Sequence, residues 1–205
     1  MSIYKTINPN KNTTVLVWKI DEDLSFLQDI FLNDNSIKRI AKMKSEIHKK
    51  GFLSVRHLLD KLGYSDKDLF YTEDGKPHLK DGKRISITHS FNFSAIIVSN
   101  QVIGIDIEKN RDKIIRIADK FVGNENDFLT DTNLVEQLTV IWGAKESLFK
   151  IHPDGGLLFK HHLPIDKFDL SDKKTRGWIK KDNFYEVFTI YFEQFDGFTL
   201  VYALN

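Results

Sequence analysis

The sequence predicts an α+β fold, with short strands and a few helices packed together as one compact unit. Three observations carry this reading. Stretches of strand-like period and stretches of helical period alternate along the 205 residues. Apolar residues make up 41% of the chain and charged residues 29%, the balance of a protein with a buried core. No low-complexity linker separates an N-terminal half, 1–100, from a C-terminal half, 101–205.

Residues 14–20, Thr-Val-Leu-Val-Trp-Lys-Ile, are β-branched and aromatic and predict a strand. From Ile37 to Leu62 the pattern turns helical, with Ile47, Val55, Leu58, Leu59 and Leu62 at helical spacing. Gly51 is a place to divide that stretch, and Gly63 is its C-terminal cap. Glu73-Asp74-Gly75-Lys76-Pro77 is turn chemistry. Strands follow at Arg84–Thr88, Phe93–Ser99 and Val102–Glu108, with Ser99-Asn100-Gln101 as a hairpin connection between the last two. A helix is expected over Asn133–Ile151, capped by Asp131 or Thr132. Glu186–Glu193 and Thr199–Leu204 return to strands, paired antiparallel. Each half reads strand, helix, strand pair, without a residue-level repeat between them.

The formal net charge of +1 points to neither a nucleic-acid nor a membrane partner. Without cysteine there is no disulfide framework, thiolate metal site or cysteine nucleophile. The opening Met-Ser-Ile-Tyr-Lys lacks a signal-peptide apolar run, and no stretch approaches the roughly 20 apolar residues of a membrane span. The expectation is a soluble, cytoplasmic protein.

In Ile103-Gly104-Ile105-Asp106-Ile107-Glu108 the isoleucines share one face of a strand, and Gly104, Asp106 and Glu108 the other. Carboxylates two apart on a strand sit roughly 6–7 Å from each other at Cα. They repel unless a cation lies between them or one is protonated. Oxygen-only ligands suit Mg²⁺. On the residues alone, a solvated face of an edge strand is the commoner outcome. Gly104 adds that something approaches the backbone there.

The helix Leu134–Lys150 is more unusual. At about 100° per residue, Leu134, Leu138, Ile141, Trp142, Leu148 and Phe149 form one apolar stripe, and Lys145 falls inside it. A charge there must snorkel, pair or meet an anion. Glu146 lies at the edge of the stripe and shares a face with Lys150, four residues on. An ordinary surface ion pair accounts for those two, but not for Lys145.

Gly104-Ile-Asp106-Ile-Glu108 and Trp142-Gly-Ala-Lys145-Glu146-Ser147-Leu-Phe-Lys150 together resemble the two signature motifs of the 4'-phosphopantetheinyl transferases. Their order and spacing resemble the larger, monomeric class, the kind that activates surfactin synthetase. Gly75-Lys76-Pro77 and Ile87-Thr88-His89-Ser90 resemble that class's two further motifs, so the likeness covers about residues 75–150. It implies a pseudo-dimer of two similar halves, with coenzyme A in the cleft between them. It implies Asp106, Glu108 and Glu146 as ligands of Mg²⁺ (or Mn²⁺), with Glu146 and Lys150 catalytic. Lys76, Pro77, Thr88 and His89 would contact the nucleotide, His89 at the 3'-phosphate, with Lys145 on the pyrophosphate or a carboxylate and Arg39 joining from the first helix. Arg56 fits a basic position of the family. Thr88 stands where serine is usual, which preserves a hydroxyl.

The activity so implied is transfer of the phosphopantetheine arm of coenzyme A to a serine of an apo acyl or peptidyl carrier protein. A different Mg²⁺ enzyme acting on phosphate esters, such as a nuclease or phosphohydrolase, would leave Lys145, Lys150 and Gly75-Lys76-Pro77 without a role. A non-catalytic module binding coenzyme A or a carrier would be marked by loss of Asp106 or Glu146, and both are present. Lys42, Lys44, Lys49 and Lys50 read as a solvated helix face, with attraction of an acidic carrier as a second role. The histidines other than His89, His161-His162 included, read as surface or core residues.

Overall fold

The computed structural model describes residues 3–152 and 156–205. The protein is a mixed α+β chain with two antiparallel sheets, each belonging to one of two units, Met1–Gln101 and Val102–Asn205. Among the described residues no helix is long and apolar enough to cross a membrane.

The first unit is built on a six-stranded sheet in the order β1-β2-β6-β5-β4-β3. Its strands are β1 (Ile3–Asn10), β2 (Thr13–Lys19), β3 (Leu69–Tyr71), β4 (Pro77–Leu79), β5 (Arg84–Ser90) and β6 (Phe93–Ser99). Val15 to Trp18 of β2 and all of β6 are buried, as their apolar content predicts. Three helices, α1 (Leu24–Leu27), α2 (Asp34–Lys42) and α3 (Glu46–Lys61), complete the unit. Leu53, Leu58 and Leu59 of α3 are fully buried with Trp18, Ile96 and Leu27, each burial contributing about 1.5–3 kcal/mol.

The helical stretch expected over residues 37–62 divides at Met43–Ser45 rather than at Gly51, which lies buried inside α3. Asn33 sets the start of α2, its side chain accepting the Ser36 N–H at 3.0 Å. Ile47, assigned to the apolar face, is half exposed because it belongs to the first turn of α3. Gly63 ends α3 as expected: its φ is +82°, and Tyr64 N–H reaches back to the Leu59 carbonyl at 3.0 Å.

The hairpin expected at Ser99-Asn100-Gln101 does not form. β6 pairs with β2 and β5, whereas β7 (Ile103–Lys109) pairs with β10 (Phe198–Leu204), so this segment joins two sheets. It is held on the first: Ser99 Oγ lies 2.7 Å from Thr13 Oγ1, and Gln101 Oε1 accepts from Asn10 Nδ2 at 2.8 Å. A polar tripeptide between two apolar strands looks the same whether it turns a hairpin or changes sheets.

The second unit has a four-stranded sheet in the order β7-β10-β9-β8, adding β8 (Lys174–Lys181) and β9 (Phe184–Phe195). Asp196-Gly197 closes the β9–β10 hairpin with φ of +48° and +74°, the chemistry of a two-residue primed turn. Helix α4 (Leu134–Ile151) packs on β7 and β10, and Leu138, Ile141, Ala144 and Leu148 join Ile190, Val201 and Ala203 in one core. Its cap is Asn133 rather than Asp131 or Thr132, because residues 131–133 already form a 3-10 turn that runs into the helix. A short α5 (Phe159–His162) follows.

Candidate active site

β7 and α4 approach unusually closely, and two glycines permit it. A Cβ on Gly104 would lie 2.0 Å from the Ser147 carbonyl oxygen, and one on Gly143 would lie 2.7 Å from Val201 Cγ2. What approaches the backbone at Gly104 is therefore the chain's own helix. Asp106, on the same face of β7, is consequently buried (5% exposed) rather than on a solvated face. Ile103, Ile105 and Ile107 occupy the opposite face, as the alternation predicts, and are buried too.

Lys150 reaches across from α4. Its Nζ donates to Asp106 Oδ1 at 2.9 Å and to the Ile105 carbonyl at 2.7 Å. The lysine expected to pair along its own helix with Glu146 thus pairs with the strand. Glu146 feels the same neighbours. Burial pushes its carboxyl up to about 7, Asp106 and Glu108 push the same way, and Lys150 opposes them. Three carboxylates of the strand and helix therefore share one electrostatic neighbourhood.

Lys145 is fully buried, and its Nζ lies 2.7 Å from Glu125 Oε1. It also donates to the Phe121 and Phe159 carbonyls at 2.7 and 3.2 Å. Burial pulls this ammonium below its ordinary range, against the pull of Glu125. The anion that explains a lysine in an apolar stripe is thus a protein carboxylate. No motif marked Glu125: it sits in a short 3-10 segment (Asn124–Phe128) without periodicity. Beside Glu108 lies a cavity of about 200 Å³, with Arg111 and Lys113 among its cationic lining and Ile114, Ile117 and Trp142 its apolar part.

In the first unit, Lys76 precedes β4 and Pro77 opens it, while Thr88 and His89 lie near the end of β5, Thr88 buried and His89 exposed. The pairing of His78 with Arg84 sets β4 against the start of β5, away from the His89 end. The His89 ring sits over Gly51, where a Cβ would be 3.0 Å from its Cδ2, and edge-on to His48 at 6.3 Å. Arg39 is exposed, its guanidinium 5.5 and 5.2 Å from the Phe52 and Tyr71 ring centroids. Arg56 is different: it is buried, with Nε donating to Asp66 Oδ1 at 3.0 Å, and serves the fold.

Among the described residues no group of three or more Asp, Glu or His side chains is already gathered as a metal cage. The donor chemistry nevertheless fits Mg²⁺: the candidates are all carboxylates, and their mutual repulsion at Glu146 is what a small divalent cation would relieve.

Residues 102–202 fit the family model of the 4'-phosphopantetheinyl transferase superfamily. The second unit is thus similar to that superfamily over residues 102–202. The chain is 29% identical over 157 residues to the 4'-phosphopantetheinyl transferase gsp of Aneurinibacillus migulanus. That alignment covers 72% of this chain and 64% of the relative, so the matched part spans less than two thirds of the relative's length.

Proposed function

We propose that the protein transfers the 4'-phosphopantetheine arm of coenzyme A to a serine hydroxyl of an apo acyl or peptidyl carrier protein. The serine oxygen bonds to the β-phosphorus of coenzyme A, the bond from that phosphorus to the bridging oxygen breaks, and adenosine 3',5'-bisphosphate departs. The observation that carries this reading is the electrostatic crowding of Glu146 with Asp106, Glu108 and Lys150, inside the stretch matched to the superfamily.

Asp106, Glu108 and Glu146 would hold Mg²⁺, which when bound supplies charge neutralisation for the pyrophosphate. Glu146, at the edge of the same cluster, would accept the serine proton. Lys150, paired with Asp106 and 28% exposed, would exchange that hold for the leaving phosphate. Lys76, Pro77, Thr88, His89 and Arg39 would bind the nucleotide, on the resemblance alone. The pseudo-dimeric arrangement with its cleft, action as a monomer and a cytoplasmic setting, with neither nucleic acid nor membrane as partner, belong to the same reading. Lys145 is reassigned: with its donors taken by Glu125 and two carbonyls, it acts through the helix rather than on the pyrophosphate.

Incubation with an apo carrier protein, coenzyme A and Mg²⁺ should add the mass of one phosphopantetheinyl group to the carrier. EDTA should abolish the gain, and Mg²⁺ or Mn²⁺ should restore it. Hydrolysis of coenzyme A without carrier modification would replace this reading with the phosphohydrolase one.

A further inference from the structure

The catalytic helix carries one fully buried charge, Lys145, that the proposed chemistry leaves unused. The three contacts of Lys145 match its three N–H donors. Glu125 is held as firmly: Oε2 accepts the Gly123 N–H at 2.7 Å, and Oε1 the Ile165 N–H at 3.0 Å. One buried ion pair thus joins α4 to residues 121–125 and 159–165. Gly123 keeps this corner tight, since a Cβ there would lie 2.9 Å from the Lys160 carbonyl oxygen.

A buried pair seldom adds net stability, because desolvating two charges costs about what their attraction returns. It does fix geometry. Lys145 and Glu146 are adjacent, so their side chains leave the helix axis about 100° apart. Anchoring Lys145 sets the rotation of α4 about its axis, and that rotation decides what Glu146 and Lys150 face.

We propose that Glu125, through its pair with Lys145, is a positioning residue that holds α4 in the rotation aiming Glu146 at Asp106 and Glu108. The kinetic consequence rests on the transfer reading; the consequence for metal binding does not require turnover.

The test is the neutral double variant Lys145→Met/Glu125→Gln. Methionine keeps the apolar stem, and the glutamine amide accepts an N–H while donating to a freed carbonyl, so no buried charge is left alone. Mn²⁺ affinity of the protein would be measured by electron paramagnetic resonance, alongside the melting temperature and kcat and KM for coenzyme A. The melting temperature should move little, while Mn²⁺ affinity falls roughly tenfold, as for lost outer-sphere support. The kcat should fall about a hundredfold, the scale of an ångström of misplacement, with KM for coenzyme A nearly unchanged. Should the double variant not fold, Glu125→Asp, which keeps the charge and shortens its reach toward Lys145, is read for the same changes in Mn²⁺ affinity and kcat. Unchanged Mn²⁺ affinity in the folded variant overturns the proposal. So does a kcat that falls only with the fraction folded, which marks a purely structural pair. A wild type that binds Mn²⁺ yet modifies no carrier ends the transfer reading and leaves the Mn²⁺ measurement to decide this one.

Discussion

Glu146 carries the sharpest consequence at the scale of single residues. Its folded-state carboxyl is pushed up to about 7 from an ordinary 4.5, so between those values the folded protein binds more protons than the unfolded chain. Stability therefore falls as pH rises through that window, and the cost is fully present above it. In metal-free buffer the wild-type melting temperature should drop from pH 5 to pH 8, and Glu146→Gln should flatten that slope. Added Mg²⁺ at pH 8 should raise the wild-type melting temperature and leave the variant's unmoved. A parallel fall in both proteins would show that other groups set the slope. Asp106→Asn should remain folded, because the amide still accepts from Lys150, yet lose nearly all transfer along with the charge. The four residues at this seam were legible in the sequence because strand alternation and helix angle put each on a definite face. Lys145 was legible only as an anomaly. Its partner Glu125 lies 20 positions away in a segment with no period to read.

Elements are spaced here by residues that lack side chains. Gly104→Ala would drive a methyl into the backbone of α4, at 2.0 Å from the Ser147 oxygen, with no flexible group to yield. The variant should lose several kcal/mol of stability, on the scale of an overpacked core, and a melting temperature near wild type would show that the seam opens at little cost. Gly51→Ala works the other way. Alanine suits a helix interior better than glycine by about 1 kcal/mol, while the methyl meets only the exposed ring of His89 at 3.0 Å. That variant should melt no lower than wild type yet show a raised KM for coenzyme A with kcat preserved; an unchanged KM would remove His89 from nucleotide binding. The elements read from period have the expected type, but their ends shifted, and β1, β3, β4 and β8 were not read as strands at all. Gly51 looks like a helix breaker in the sequence, because the close ring of His89 that favours glycine there is a tertiary contact.

Over the whole molecule, the chain builds two sheets and two cores that share no strand. Leu53→Ala and Leu148→Ala each empty a fully buried site in a different core and should each cost about 2–5 kcal/mol. Their costs should add within about 0.5 kcal/mol, and a larger coupling in a double-mutant cycle would show that the cores respond as one. The sequence offered halves at 1–100 and 101–205, but the change of sheet between them escaped it, because the connection at residues 99–101 is as short and polar as a hairpin. The pairing of β10 with β7 has a consequence in time. The first sheet is complete once β6 is made, but Asp106 gains its neighbour Val201 only when β10 arrives, and Phe198 follows Lys109 by 89 positions. At about 5–20 residues per second of synthesis, a nascent chain holds its carboxylate strand without that partner for roughly 4–18 s. The residues proposed to do the chemistry are thus among the later ones to be assembled, and the proposed transfer would have to wait for β10 to pair with β7.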